Sequence, residues 1–164
     1  MRRTAQMTKD AGVELTLFDE VAEVLRGLVP PDLGELRHRA HRYGIKVWFG
    51  PQTPRKEHYE AQVIGPAAVD DATVLALEIG FHAEHPKVGD NDAVIARLTS
   101  QERRWRRKLG KEAVVGPFLG RPDPWRRISE TWPDPDLGAP DLAFELGARL
   151  TDYITVIEPL LQAT

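Results

Sequence analysis

Three stretches in the first half of the chain alternate apolar and polar residues, which is the period of a β-strand. They cover residues 45–49, 58–64 and 74–84. In the third stretch, Leu77, Ile79 and Phe81 alternate with Glu78 and His82. Because only short segments connect the three stretches, the pattern predicts consecutive antiparallel strands whose apolar positions face a core.

Helical periodicity appears on either side of these stretches. "TLFDEVAEVLRGLVPP" predicts a helix capped by Thr16, and "GDNDAVIARLTSQERRWRRKLG" predicts a second helix that ends at Gly110. "DLAFELGARLTDYITVIEPLL" predicts a last helix that Pro159 should bend or end. Between the second and last helices, "EAVVGPFLG" and the segment from Trp125 to Trp132 predict two short strands.

The resulting order of elements is α-β-β-β-α-β-β-α. It predicts an α+β fold, in which an antiparallel sheet of about four or five strands carries helices mainly on one face. Residues 1–14 have no apolar period and are predicted to form a mobile N-terminal tail. Residues 15–164 are predicted to form a single domain.

Composition limits the classes of protein that the chain can belong to. A length of 164 residues with 41% hydrophobic residues is typical of one folded globular domain. Cysteine is absent, which excludes disulfides and thiolate metal ligands. Without an apolar signal core or a run of about 18 apolar residues, we expect a soluble cytoplasmic protein with no membrane partner.

The polar positions of the predicted strands share the sheet face opposite the core. On that face we expect a group of histidine, carboxylate, amide and tryptophan side chains, which are the candidate ligand surface: Trp48, His58, Glu60, Gln62, Glu78, His82 and Glu84. The last strand should add one of two alternating sets. These sets are Trp125, Arg127 and Ser129, or Arg126, Ile128, Glu130 and Trp132.

The simplest interpretation of this face is a solvated antiparallel surface. The spacing of its histidines is not that of the helical H-E-x-x-H zinc motif, so we expect no cofactor and no tightly bound metal. The alternative is a metal bound by Glu78, His82 and Glu84. If the face is wet, His82→Ala should change stability little, whereas His85 should turn inward and matter more.

Charge is distributed unevenly in the second half of the chain. Residues 97–127 carry ten basic and three acidic side chains, and residues 128–164 carry seven acidic and one basic. A candidate basic patch comprises Arg97, Arg104, Lys108 and Lys111. Neutralisation of one segment by the other is the main interpretation. An acidic protein or nucleic acid partner is the alternative, but the net charge of −3 gives us no reason to expect nucleic acid binding.

The order α-β-β-β-α-β resembles the core of the PD-(D/E)xK nucleases, over about half of the chain. Asp70 and Asp71 precede Glu78 as that resemblance requires, but no lysine follows in "Glu78-Ile79-Gly80". The resemblance implies a metal-dependent nuclease or hydrolase. Separately, "GFHAEH", "WRRISETW" and "YITVIEPLL" resemble segments of uncharacterised actinobacterial proteins, a likeness that implies no activity.

Taken together, these features predict a small soluble binding or interaction domain without catalytic activity. Its partner would be a protein or a small molecule of unspecified type. The metal-dependent hydrolase or nuclease is the alternative.

Overall fold

The computed structural model describes residues 17–120 and 123–163. Its four helices are α1 (residues 17–28), α2 (Val88–Thr99), α3 (Glu102–Leu109) and α4 (Leu142–Gln162). Its six strands are β1 (Leu36–His41), β2 (Gly44–Phe49), β3 (Glu57–Ile64), β4 (Ala76–Ala83), β5 (Val114–Pro117) and β6 (Arg126–Pro133). Short 3-10 turns occupy Pro31–Leu33, Pro66–Ala68 and Phe118–Gly120.

All six strands form one sheet in the order β1-β2-β3-β4-β6-β5, and every neighbouring pair is antiparallel. The predicted α+β class is therefore confirmed, with one strand more than expected. The additional strand is β1, which pairs with β2 through a tight hairpin. Four of its six residues are Arg or His, so no apolar alternation marks it in the sequence.

The hydrophobic core lies between the helices and one face of the sheet. The alternating residues Leu77, Ile79 and Phe81 are fully buried there, as predicted, and they join one cluster with side chains of α1 and α4. The two helices approach closely at Gly147, where an added Cβ would lie 2.4 Å from Val24 Cγ1. Glycine at this position therefore lets α1 and α4 pack together.

The second predicted helix is divided in two near Ser100 and Gln101. Trp105 on α3 is buried and donates a hydrogen bond from Nε1 to the carbonyl of Leu98, which ties α3 back against α2. The prediction that this tryptophan belongs to the core is confirmed. Because the helix is broken, Arg97 does not continue the row of cations on α3.

The four residues of the predicted basic patch have different environments. Arg97 donates to the carbonyls of Leu160, Leu161 and Ala163 at the end of α4, where a cation is favourable. Lys108 lies 3.6 Å from Asp152 of α4. Arg104 and Lys111 are exposed. Part of the basic segment, residues 97–127, therefore pairs with the acidic segment, residues 128–164.

Two sequence predictions at the chain ends have different outcomes. Pro159 does not end α4, which continues to Gln162. The predicted tail of residues 1–14 and the predicted cap Thr16 lie outside the described residues.

Among the helices that the structure describes, none is both long and apolar enough to cross a membrane.

Candidate metal centre

The same short motif, His-x-Glu, occurs on β3 and at the end of β4, on the sheet face opposite the helices. Their register places His58 directly opposite His82, and Glu60 opposite Gly80. Just beyond β4, the backbone N–H of Glu84 donates to the carbonyl of Lys56. Because the strands are antiparallel, the two glutamates lie diagonally on either side of the histidine pair. We call His58, Glu60, His82 and Glu84 the His–Glu cluster.

Within the cluster, imidazole nitrogens face carboxylate oxygens. His58 Nε2 is 2.8 Å from Glu60 Oε1 and 3.3 Å from Glu84 Oε2. His82 Nδ1 is 3.1 Å from Glu84 Oε2 and 3.5 Å from Glu60 Oε1. One potential ligand atom from each residue lies within 4.8 Å of all the others. Ligands about 2.1 Å from a tetrahedral ion are roughly 3.4 Å apart, so small outward shifts of these side chains would make room for an ion between them.

His58 is oriented by its second ring nitrogen. Nδ1 lies 2.8 Å from the carbonyl oxygen of Arg55, which can only accept a hydrogen bond. Nδ1 therefore carries a proton. In the neutral imidazole, Nε2 then has a lone pair directed at the Glu60 and Glu84 carboxylates.

His82 is oriented in the same way by a carboxylate. Its Nε2 lies 2.7 Å from Glu78 Oε2, and both side chains are fully buried. The other oxygen of Glu78 accepts a hydrogen bond of 3.0 Å from Gln62 Nε2. With Nε2 donating to Glu78, Nδ1 of the neutral ring faces the cluster. A carboxylate that holds the outer nitrogen of a histidine is the usual support of a metal ligand.

Gly80 lies between Glu78 and His82 on the same face of β4. Its φ of +154° lies outside the usual range of L-residues, and an added Cβ would lie 2.4 Å from the carbonyl oxygen of Ile128 on β6. Glycine is therefore needed for β4 and β6 to approach. It also leaves the position between Glu78 and His82 free of a side chain.

The carboxylates change the proton affinity of both histidines. Burial alone would lower the pKa of His82, but the adjacent Glu78 and hydrogen bonds to Glu60, Glu78 and Glu84 raise it well above its usual value. At His58, burial likewise opposes the charge, and the hydrogen bonds to Glu60 and Glu84 outweigh it and raise the pKa.

The histidines have the reciprocal effect on the two glutamates. Burial favours the neutral carboxyl groups, but hydrogen bonds with His58 and His82 outweigh it and hold the pKa of Glu60 well below its usual value. The same balance lowers the pKa of Glu84 to about 2. The four side chains thus require positive charge between them. Two protons or one divalent cation would supply the same amount.

A cleft of about 450 Å³ opens beside the cluster. Glu60 and Glu84 line it and keep 14% and 13% of their side chains exposed, so the carboxylate edge is accessible. Lys46 also lines the cleft, with Nζ 3.6 Å from Glu60 Oε1 and 4.0 Å from Glu84 Oε1. Phe118, Leu119 and Trp125 form an apolar wall.

The expectation that this face is wet is wrong. His58, Glu78 and His82 are buried, because the segment before β6 covers part of the sheet. The Phe118 ring packs edge-on against His82 with 4.8 Å between centroids, and Trp125 packs edge-on against Phe118. The cover comes from a distant part of the chain, so strand alternation could not indicate it.

The remaining residues of the predicted surface lie around the cluster. Gln62 lines the cleft and donates a hydrogen bond to Glu78, and Trp48 is buried with its indole donating to the carbonyl of Pro51.

His85, expected to point inward, is partly exposed and lies 2.8 Å from Glu57 Oε2. Because β4 ends at Ala83, the alternation does not extend to His85.

The register of β6 selects the first of the two alternating sets. Arg127 lies opposite His82, and Ser129 lies opposite Gly80. The Arg127 guanidinium donates to Ser129 Oγ at 2.9 Å. Ile128 belongs to the hydrophobic core, and Glu130 contacts Tyr153 of α4, so the second set faces the helices.

The acidic residues suggested by the nuclease resemblance do not join this site. Asp70 and Asp71 are exposed and line a separate depression with Arg127 and Thr131. Within residues 17–120 and 123–163, the group able to share an ion is the His–Glu cluster. Of the alternative ligands Glu78, His82 and Glu84, the last two belong to it, and Glu78 supports His82 from outside. His58 and Glu60 complete it, and the repeated His-x-Glu was the signal for them.

No family model matches the chain, and no curated protein or solved structure matches it either. A functional interpretation therefore depends on the geometry of the His–Glu cluster and its cleft.

Proposed function

We propose that the domain binds one divalent transition-metal ion through the His–Glu cluster and presents it to a small molecule in the cleft. One observation carries this proposal: each histidine has its outer nitrogen held by an acceptor and its inner nitrogen directed at the same two carboxylates. Neutral imidazole lone pairs facing carboxylates are unfavourable, so positive charge must lie between them, either as two protons or as one divalent cation. A metal ion satisfies all four groups at once.

The ligand types indicate which metals fit. Two imidazoles and two carboxylates, without thiolates, suit Zn²⁺, Fe²⁺ or Mn²⁺. The buried Glu78 behind His82 favours binding further, because it fixes the ring and increases its basicity.

The non-catalytic binding domain and the metal-dependent hydrolase both remain compatible with such a centre. In a four-coordinate ion the protein ligands would fill every position, which suits binding or structure. A six-coordinate ion would keep two positions for water, and a metal ion activates bound water as a nucleophile. The exposed carboxylate edge of the cluster supports the hydrolase as a second candidate, since that edge opens to the cleft.

Metal loading of the full chain tests the proposal. The protein is stripped with a chelator, exposed to Zn²⁺ or Mn²⁺, desalted and analysed by elemental mass spectrometry. We expect one ion per chain for the unmodified protein, and at least a tenfold loss of affinity in His58→Gln and His82→Gln. His41→Gln is the matched control, because His41 is exposed on β1 outside the cluster. Folded protein that takes up no ion, or His58→Gln protein that binds it equally well, would overturn the proposal.

Turnover separates the two candidates once an ion is bound. The metal-loaded chain is assayed with p-nitrophenyl acetate and bis(p-nitrophenyl) phosphate. Hydrolysis that disappears in His82→Gln supports the hydrolase. A loaded protein without hydrolysis of either probe supports the non-catalytic domain.

A further inference from the structure

Lys46 is a cation placed at the mouth of the cleft without being a potential metal ligand. It lies directly opposite Glu60 in the β2–β3 pair, and its Nζ is within 4.0 Å of both glutamates of the cluster. When the two carboxylates coordinate a metal ion, their charge is shared with that ion. The ammonium group of Lys46 then becomes available to a second anion at the same place.

The charges around the cluster indicate which anion would fit. Glu60, Glu78 and Glu84 contribute three negative charges. Lys46 and Arg127 contribute two positive charges. Arg127 lies directly opposite His82 on the neighbouring strand β6. A divalent ion makes the total +1. A monoanion would neutralise the loaded site, whereas a dianion would leave an excess of negative charge.

The cleft also has an apolar wall. Ile64, Phe118, Leu119 and Trp125 line it, together with the polar side chain of Gln62. Its volume of about 450 Å³ is within the range of small-molecule pockets, which is roughly 300–1,000 Å³. A ligand with a charged end at the metal and an apolar body along this wall would meet complementary groups at both ends.

We infer, on the basis of the proposed metal site, that the cleft binds a small organic monocarboxylate. One carboxylate oxygen would take a position that a six-coordinate ion otherwise leaves to water, and the other would accept a hydrogen bond from Lys46. The apolar body would pack against Phe118 and Trp125. No bond is made or broken in this step.

Calorimetry with benzoate as the probe tests the inference. Benzoate is titrated into the metal-loaded full chain, the metal-stripped chain and the loaded Lys46→Met variant. Benzyl alcohol serves as a neutral probe of similar shape. Lys111→Met is the matched control, because Lys111 is exposed beyond the end of α3. We expect benzoate to bind the loaded chain and the Lys111→Met control alike. Its affinity should be at least tenfold weaker for Lys46→Met and for the stripped chain, and benzyl alcohol should not bind measurably.

Two failures are distinguishable because metal content is measured first. If Lys46→Met and the unmodified chain both load one ion but bind benzoate equally, or neither binds it, the inference is overturned and the metal proposal survives. If the unmodified chain loads no ion, the proposed function itself fails, and the inference fails with it.

Discussion

Carboxylates on opposite faces of the sheet are satisfied in different ways. On the helix side, Glu130 of β6 accepts hydrogen bonds from Arg149 Nε, Tyr153 Oη and Trp132 Nε1, each at 2.8 Å. Guanidinium and indole groups are donors only, and the tyrosine hydroxyl donates here. The carboxylate of Glu130 thus has a complete set of donors from its own neighbours.

On the other side, Glu60 and Glu84 face the inner nitrogens of His58 and His82, which can either donate a proton or coordinate a metal. The outer nitrogens of these rings are already occupied by Arg55 and Glu78. The comparison shows that burial of a carboxylate does not by itself mark a functional site. What distinguishes the His–Glu cluster is that its partners are themselves potential ligands.

The largest expected effect is on the helix side. Glu130→Ala should lower the free energy of unfolding by about 3–5 kcal/mol, because it removes three hydrogen bonds and leaves the Tyr153 hydroxyl and the Trp132 indole without this acceptor. Arg149 keeps Asp152 and the carbonyl of Leu109 as partners. Denaturant unfolding monitored by circular dichroism measures the change. Glu145→Ala removes the same charge from an exposed position of α4 and is the control. Equal effects of the two variants would contradict the proposed role of Glu130.

An intermediate effect is expected from metal on stability. When the free metal concentration is about 100 times the dissociation constant, the ion should stabilise the unmodified chain by about 2.7 kcal/mol, because it binds the folded state. Glu130→Ala should gain the same amount, although it starts from a lower stability. His82→Gln, whose affinity is at least tenfold weaker, should gain about 1.4 kcal/mol or less. Unfolding curves with and without Zn²⁺ provide the measurement, and equal stabilisation of His82→Gln would show that the ion binds elsewhere.

The smallest effect concerns Asp134, an exposed carboxylate that is held by backbone N–H groups and by the hydroxyl of Thr73. Hydrogen bonds from the N–H groups of Val74, Thr73 and Leu75 lower the pKa of Asp134 to about 2. A lowered folded-state pKa contributes stability that is present above the unfolded value of about 3.9 and is lost as the pH falls towards 2.

Between pH 4 and pH 2, Asp134→Asn should therefore lose less of its free energy of unfolding than the unmodified chain does. Metal should not alter this difference between the two proteins. Asparagine tolerates the left-handed backbone at this position, where φ is +48°. Unfolding midpoints measured across this pH range are the test. An unchanged pH dependence would contradict the proposed contribution of Asp134.

Alternation predicted the three central strands and the face on which each side chain lies. Leu77, Ile79 and Phe81 are sufficient to assign β4, since successive side chains point to opposite faces whatever the partner strand is. Trp105 was also assigned correctly to the core, from its spacing with Leu98 and Leu109 on a helical face.

Two features of the site depend on contacts that are distant in sequence. The register that places His58 opposite His82 depends on the pairing of β3 with β4, and alternation fixes the faces without fixing the pairing. The cover over His82 comes from Phe118, which lies beyond α3. Strand β1 was missed for a local reason, since Arg and His occupy most of its positions.

Anomalous diffraction from crystals of the Zn²⁺-loaded chain tests the central claim most directly. It locates the ion without reference to stability or activity. We predict one strong peak about 2.0–2.2 Å from His58 Nε2, His82 Nδ1 and an oxygen of each of Glu60 and Glu84, with Glu78 still bound to His82 Nε2. Crystals without a peak at this position, in which the imidazole nitrogens remain hydrogen-bonded directly to the two carboxylates, would contradict the metal centre.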